Sequence, residues 1–237
     1  MQLRTSIDSG PSGILLIDKP KDFSSHDVVA IARRALKTKR IGHSGTLDPM
    51  ATGLLILLVG REATKQQARF MQLSKTYQAT LTLGQETDSW DAYGQVIAEK
   101  PVPALTQTQV EKAALQLTGT VRQPIPVFSA KKINGTAMYS LARQGVDIPR
   151  KYSEVSVTWP RIELTSPTTL DFTVHCSCGT YVRALGYLLA GMLGTTGHLT
   201  QLRRMQIGPY TVQKAFDANQ LKTADTQLLY QKMLPVL

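Results

Sequence analysis

The segment His43–Val59, HSGTLDPMATGLLILLV, joins an irregular loop to a continuous apolar run. The run Leu54–Val59 predicts a hydrophobic, buried strand. Ahead of it, Gly42, Gly45 and Gly53 let the backbone approach a ligand closely, and Pro49 keeps Asp48 out of helical geometry. The pattern predicts a carboxylate presented on a loop beside a rigid strand, where catalytic groups commonly lie.

The same loop has a plainer interpretation. Leu47–Pro49 alone fits an ordinary turn, in which Asp48 caps a nearby backbone group. The irregular backbone is expected to extend over Lys39–Gly53, which suits either interpretation. The loop by itself leaves both open.

The flanking sequence predicts strands and helices that mix without a strict βαβ alternation. Predicted strands are Gly13–Lys19, Thr76–Leu83, Gln95–Ala98, Glu154–Leu164, Thr169–Ser177 and Thr211–Gln213. Predicted helices are one capped by Ser24 or Ser25, then Glu62–Gln72, Thr106–Leu117, Tyr181–Met192 and a short one near Thr223–Lys232. This order favours an α+β fold with a large mixed, mainly antiparallel sheet flanked by helices and loops.

Charge and hydropathy restrict the functional class. The 237 residues carry a net charge of +10, which favours a polyanionic partner such as nucleic acid. The run Leu54–Val59 is far shorter than the roughly 20 residues that span a bilayer. The apolar run Ile14–Ile17 is too short for a signal peptide. A cytoplasmic protein without a membrane partner is therefore expected.

The two cysteines exclude a disulfide framework. A closed zinc site needs four ligands, so Cys176 and Cys178 would require His175 and His198 as well. In an extended segment His175 points away from the two cysteines. Reduced cysteines in a strand are the favoured interpretation.

Six motifs in a fixed order carry a resemblance to a known family. They are KPKDFSSHDVV (19–29), HSGTLDPMATG (43–53), KTYQATLTLGQETDSWDAYG (75–94), PIPVFSAKKINGTAMYSLARQG (124–145), CSCGTYVRAL (176–185) and LRRMQIGPY (202–210). Together they resemble the bacterial tRNA pseudouridine synthase B (TruB) family over about residues 13–215. The resemblance implies a pseudouridine-synthase-like catalytic domain over residues 1–210 and a short C-terminal extension over 211–237.

The resemblance also implies catalytic roles. Asp48 corresponds to the family's essential carboxylate, Arg183 to its cationic partner, and Tyr77 to the tyrosine that stacks on the target base. The reaction breaks the C1′–N1 glycosidic bond of uridine, turns the uracil and rejoins it through C5. A carboxylate serves this either as a nucleophile or by acting on an oxocarbenium-like sugar, and the sequence leaves both paths open.

Further residues are implied to bind the RNA. His43 would occupy the gap left by a flipped nucleotide, and the pocket and backbone contacts would come from Tyr181, Leu202, Lys131 and Lys132. The basic segment 122–151 corresponds to the family's RNA-gripping insertion, and its charge suits phosphate contacts. The implied substrate is uridine 55 in the T-arm stem-loop of tRNA, reached by base flipping.

Three departures from the family pattern stand out. The chain after the LRR motif is too short for a further RNA-binding module, Cys178 replaces a basic residue, and Leu188 replaces an acidic one. No cofactor, metal or obligatory protein partner is expected, because isomerisation needs neither redox equivalents nor phosphoryl transfer. A monomer is expected.

Two other functional classes compete. A non-catalytic tRNA-binding or tRNA-folding protein would explain the basic charge equally well. A glycosidase-like hydrolase would normally use two carboxylates across the scissile bond, and the Asp48 loop offers no second acid. The first is retained as the alternative.

Overall fold

The computed structural model describes residues 11–129, 131–133, 135–138, 144 and 148–236. The strands are β1 (Gly13–Lys19), β2 (Ile41–His43), β3 (Thr52–Val59), β4 (Lys75–Leu83), β5 (Gln85–Thr87), β6 (Val96–Glu99), β7 (Gly119–Pro124), β8 (Lys132–Ile133), β9 (Thr136–Ala137), β10 (Tyr152–Ser166), β11 (Thr169–Cys176), β12 (Gly197–Ile207), β13 (Tyr210–Thr211) and β14 (Phe216–Asp217). The α-helices are α1 (Ser25–Ala35), α2 (Gly60–Lys65), α3 (Gln67–Gln72), α4 (Gln107–Gln116), α5 (Val182–Met192) and α6 (Thr226–Gln231), with 3₁₀ turns at Val212–Lys214 and Gln220–Lys222. The predicted α+β class with a large mixed, mainly antiparallel sheet is confirmed.

The chain folds as two compact units. The first unit is the chain up to Leu73 together with the chain from Arg204 onward, and the second unit is Ser74–Arg203. The division into a domain over residues 1–210 and an extension over 211–237 stays a prediction.

The first unit is built around β3, which is buried on both faces. Strand β1 pairs antiparallel with β3 from Gly13↔Val59 to Lys19↔Gly53, and β14 pairs parallel with β1. One face of β3 packs with α1 and the other with α2 and α3. Leu55, Leu57 and Val59 face α1, and Leu54, Ile56 and Leu58 face the other side. This two-sided burial explains why the run Leu54–Val59 contains no polar residue.

Helix α1 begins at a complete capping box. The Ser24 hydroxyl accepts from the Asp27 N–H at 3.1 Å, and the Asp27 carboxylate accepts from the Ser24 N–H at 2.8 Å. Ser24 is therefore the cap, and Ser25 is free to bond elsewhere. The apolar stripe of α1, with Val28, Ala32 and Leu36, enters the core of the first unit.

The last residues of the chain complete that core. Leu221 and Leu229 are fully buried with α1, and the Tyr230 hydroxyl donates to the Leu36 carbonyl at 2.9 Å. The predicted strand Thr211–Gln213 is only partly right, because a 3₁₀ turn begins at Val212.

The second unit is a layer of long antiparallel strands. Strand β4 pairs with β11 from Lys75↔Cys176 to Thr82↔Thr169, β11 pairs with β10, and β10 pairs with β7. The helices α4 and α5 pack on this layer. A small β5–β6 hairpin leads the chain through the turn that contains Asp91.

Two local expectations need correction. The predicted irregular stretch Lys39–Gly53 contains β2, because Ile41–His43 pairs with β3. The predicted helix Glu62–Gln72 is two short helices that meet at Gln66. No helix in the described ranges is long and apolar enough to cross a membrane.

Gly53→Ala is expected to destabilise the protein strongly. Gly53 has φ +99°, and an added Cβ would lie 2.8 Å from the Arg204 backbone N. Left-handed backbone alone costs about 1–2 kcal/mol in a non-glycine residue. Urea unfolding would measure the loss, and Gly119→Ala is the control, since Gly119 has φ +84° with no atom within 4 Å of an added Cβ. Equal losses in the two variants would contradict the close approach.

Candidate active site

Asp48 lies in the loop of residues 44–51 between β2 and β3, hereafter the Asp48 loop. Leu47 and Met50 are buried on either side of it, while Asp48 is half-buried. The Ser25 hydroxyl accepts from the Leu47 N–H at 2.8 Å and donates to the Leu47 carbonyl at 3.2 Å. The Ala51 N–H donates to the Asp48 carbonyl at 3.0 Å. The backbone on both sides of Asp48 is therefore held, which favours a fixed carboxylate over a mobile one.

A buried lysine supports the same loop. Lys19 is fully buried, and its Nζ donates to the carbonyls of Pro20 at 2.9 Å, Phe23 at 2.6 Å and Pro49 at 3.4 Å. Burial lowers the pKa of Lys19 to about 8, and the charge of Asp48 opposes that shift. Since this value lies above neutrality, Lys19 is mostly protonated at pH 7, and its charge and that of Asp48 attract each other.

Arg204 is the second buried cation of the first unit. It is 1% exposed, its Nε donates to the Leu54 carbonyl at 2.7 Å, and its Nη2 donates to the Gly45 carbonyl at 3.2 Å. These carbonyls lie on opposite sides of Asp48 in the chain. The guanidinium therefore spans the segment that carries the carboxylate.

His43 ends β2 directly before the Asp48 loop. Its Nδ1 accepts from the Gly45 N–H at 3.3 Å, which assigns the proton of the neutral ring to Nε2. The ring meets His26 edge-on, with 5.6 Å between centroids. Burial lowers the pKa of His43 below 6.5, and the charges of His26 and Arg204 add to the effect.

A pH titration tests whether the pKa of His43 is lowered. The His43 ring is expected to titrate below the ordinary pKa of 6.5 in the folded protein. As the pH drops through 6.5, His43 binds a proton in the unfolded chain before it does so in the folded protein. The free energy of unfolding therefore falls as the pH drops below 6.5, and the stability due to neutral His43 is fully present above that pH. Nitrogen-edited NMR of the imidazoles would measure the pKa, and His43→Gln is the control for the stability slope. A pKa above 6.5 would contradict the assignment.

Arg183, in the second unit, is the second residue of α5 and is 3% exposed. Its Nη1 lies 3.4 Å from Asp91 Oδ2 and donates to the Ser89 carbonyl at 2.6 Å, and its Nη2 donates to the Phe128 carbonyl at 2.9 Å. A cation near a helix N-terminus needs a compensating anion, and Asp91 supplies one. The pairing of Arg183 with Asp48 stays a prediction.

Sequence reasoning missed Asp91. Its Oδ1 accepts from the Ser89 hydroxyl at 2.7 Å and from the Tyr93 N–H at 3.0 Å, so the carboxylate is held by its own turn. The turn places Trp90 at φ +59°, and the indole stacks on Tyr187 with 4.6 Å between centroids. A signal was nevertheless available: Arg183 needs a nearby anion, and the aspartates of the DSWDAYG motif are candidates for it.

The other predicted site residues also lie in the second unit. Tyr77 faces inward from β4, Leu202 is buried on β12, and the Tyr181 N–H donates to Gln123 Oε1 at 3.0 Å. Lys131 is exposed, and the side chain of Lys132 lies outside the described residues, as does much of the segment 139–147. The described residues contain no cluster of three or more histidines, cysteines or acids suited to a metal.

Comparison with known proteins shows which family the chain belongs to. The model of the TruB family pseudouridylate synthase N-terminal domain matches residues 33–182. The chain belongs to the TruB family. The resemblance identified from the motifs is thus confirmed, and the fold class with it.

Curated TruB relatives cover most of the chain. A tRNA pseudouridine synthase B of Arthrobacter sp. (strain FB24) is 41% identical over 216 residues, which is 89% of this chain and 70% of that protein. One of Opitutus terrae is 38% identical over 94% of this chain and 92% of its own length. The relative from Psychrobacter cryohalolentis is 39% identical, and the chain spans 64% of that protein's length.

Solved structures agree on the TruB-like fold. A chain of a Cbf5–Nop10–Gar1 complex has a TM-score of 0.70 at 21% identity, covering 94% of this chain and 60% of that chain. A chain of the archaeal box H/ACA sRNP Nop10–Cbf5 complex has a TM-score of 0.67 at 20% identity, covering 96% of this chain and 63% of that chain. At these identities the likeness shows the fold alone.

Proposed function

We propose that this chain isomerises uridine 55 in the T-loop of tRNA to pseudouridine, with Asp48 as its essential carboxylate. The observation that carries the proposal is the Asp48 loop, in which a half-buried carboxylate stands on backbone held by Ser25 and by two buried cations. Preorganised charge of this kind stabilises a transition state without reorganisation during the reaction. The curated relatives named tRNA pseudouridine synthase B support tRNA as the substrate.

The chemistry suits a single ionised carboxylate. Cleavage of the C1′–N1 bond leaves an oxocarbenium-like sugar, which Asp48 either captures covalently or stabilises while the uracil turns. Both paths require a charged carboxylate at Asp48, and the charge of Lys19 attracts it. Tyr77 is the proposed stacking partner of the base.

Base flipping is the proposed route of entry. A uridine inside a folded loop must leave its stack to reach the carboxylate, at a cost of a few kcal/mol. His43 is the proposed filler of the gap, since burial and neighbouring charges keep its ring neutral. The net charge of +10 favours contacts to the phosphates of the T-arm. The enzyme is proposed to act in the cytoplasm as a monomer.

A direct assay tests the proposal. Unmodified tRNA transcript is incubated with the purified protein without added metal, and pseudouridine is mapped by carbodiimide-blocked primer extension. One new stop that reports uridine 55 is the expected result. A transcript with cytidine at that position is the control and should give no stop.

Other outcomes would overturn the proposal. A stop at another uridine would reject the site assignment. Binding of tRNA without any stop would favour the non-catalytic tRNA-binding or tRNA-folding protein.

A further inference from the structure

We propose that Arg204 is a positioning residue for pseudouridine formation, which ties the start of the Asp48 loop to strand β3 and so sets the position of the Asp48 carboxylate. The inference rests on the proposed catalytic role of Asp48. Nothing in the motif resemblance assigned Arg204 a part in the reaction. Its hydrogen bonds within the first unit carry the argument.

The two bonds of the guanidinium bracket the carboxylate. Gly45 lies three residues before Asp48 and Leu54 six residues after it, and one side chain donates to the carbonyl of each at 3.2 and 2.7 Å. The donors of arginine stand in a rigid planar fork, so two bonds from one head constrain both distance and angle. The loop therefore cannot move away from β3 without breaking one of these charge-assisted hydrogen bonds.

The backbone of Arg204 holds the same end of the loop from a second direction. An added Cβ on Gly53 would lie 2.8 Å from the Arg204 N, so the two backbones are in direct contact. The side chain and the main chain of one residue thus fix the point where the loop enters β3. Any shift of β12 at Arg204 would be passed to the Asp48 loop.

The hydrogen bonds of Arg204 are also linked to His43 through Gly45. The Gly45 carbonyl accepts from Arg204, and the Gly45 N–H donates to the His43 ring at 3.3 Å. The charge of Arg204 is one of the causes that lower the pKa of His43. Loss of that charge should therefore be visible in the titration of a residue that Arg204 does not itself bond.

The test uses two substitutions that separate geometry from charge. Arg204→Lys keeps the charge but replaces the planar fork with a single ammonium head. Arg204→Gln removes the charge and keeps an amide donor, and it serves also if the lysine variant is not recovered folded. Both are expected to lower kcat by about 10- to 100-fold with KM unchanged, because misplacing the reacting carboxylate affects the transition state and not the RNA contacts. In Arg204→Gln the His43 pKa is expected to rise, and in Arg204→Lys it is not.

Hydrogen exchange provides a readout that does not depend on activity. The Ala51 N–H, which bonds to the Asp48 carbonyl, should lose protection in both variants. Arg33→Lys is the matched control, since the Arg33 Nη2 donates to the Ile41 carbonyl in the same unit at 3.1 Å but does not hold the loop. That control should keep both its kcat and its Ala51 protection.

The possible failures are distinguishable. Wild-type kcat in folded Arg204→Lys and Arg204→Gln would reject Arg204 as a positioning residue and leave the proposed function intact. A drop in kcat in step with general loss of exchange protection would reduce its role to stability and also overturn the inference. Wild-type activity of Asp48→Asn, measured in parallel, would instead remove the catalytic assignment on which the inference rests.

Discussion

The Asp48→Asn protein is expected to bind tRNA with wild-type affinity and to form no detectable pseudouridine. Asparagine matches aspartate in shape but bears no charge, so it neither attacks the sugar nor stabilises an oxocarbenium-like centre. The loss of turnover is expected to be on the order of 10⁴-fold or more, as for other groups that act at the reacting atoms. Single-turnover assays with saturating enzyme would measure it.

The fold of this variant should be preserved. The contacts that hold the loop go to backbone atoms, namely the Ser25 bonds to Leu47 and the Arg204 bond to Gly45. Asp22→Asn is the matched control, because Asp22 is an exposed carboxylate of the same unit whose charge also acts on Lys19. It should remain active, and equal losses in the two variants would show that the effect is general electrostatics and not chemistry at Asp48.

Asp91→Asn is expected to lower the free energy of unfolding by about 3–5 kcal/mol, because it leaves a buried guanidinium without its anion. The Arg183 and Asp91 side chains are only 4% and 7% exposed, so water cannot replace the lost partner. Urea unfolding monitored by circular dichroism would measure the change.

Two further variants separate charge from packing. Glu163→Gln removes the acid of an exposed pair with Arg161 in the same unit, and it should cost less than about 1 kcal/mol. The double variant Asp91→Leu with Arg183→Met leaves no unpaired charge and should recover part of the stability. The rest stays lost, because the Ser89 hydroxyl and the Tyr93 N–H lose their acceptor and the Ser89 and Phe128 carbonyls lose their donor. If Arg183 also serves the reaction, the recovered protein stays inactive. A loss below 1 kcal/mol in Asp91→Asn would show that the pair does not hold the second unit.

The predictable parts of the fold are those that local pattern determines. The unbroken apolar run Leu54–Val59 predicted a buried strand, and β3 is one, with helices packed against both of its faces. Strand β2 could not be foreseen, since Ile41–His43 has no strand pattern and extends only because it pairs with β3. A segment of three residues is too short to show a sequence pattern that predicts pairing with a distant strand.

The candidate site shows the same division. The glycines and the proline around Asp48 indicated that the loop is a candidate site, but the side chains that hold the loop come from elsewhere in the chain. Lys19 belongs to the first strand and Arg204 to the twelfth, and both bond to carbonyls, which leave no signature in the sequence. Asp91 was not predicted for a related reason. Its partner Arg183 is distant in sequence, and the two side chains meet only in the folded protein.

The division of the chain into units has a consequence for biosynthesis. Strand β1 and helix α1 are synthesised before the second unit, yet Leu221 and Leu229, which complete their core, are synthesised after it. At roughly 5–20 residues per second, the intervening residues 74–203 occupy the ribosome for on the order of ten seconds. During that interval the apolar stripe of α1 lacks part of its cover, whereas the second unit, continuous in sequence, can fold as soon as its own residues have been synthesised. A nascent chain arrested near residue 210 should therefore bind chaperones through α1 and release them once α6 has been synthesised.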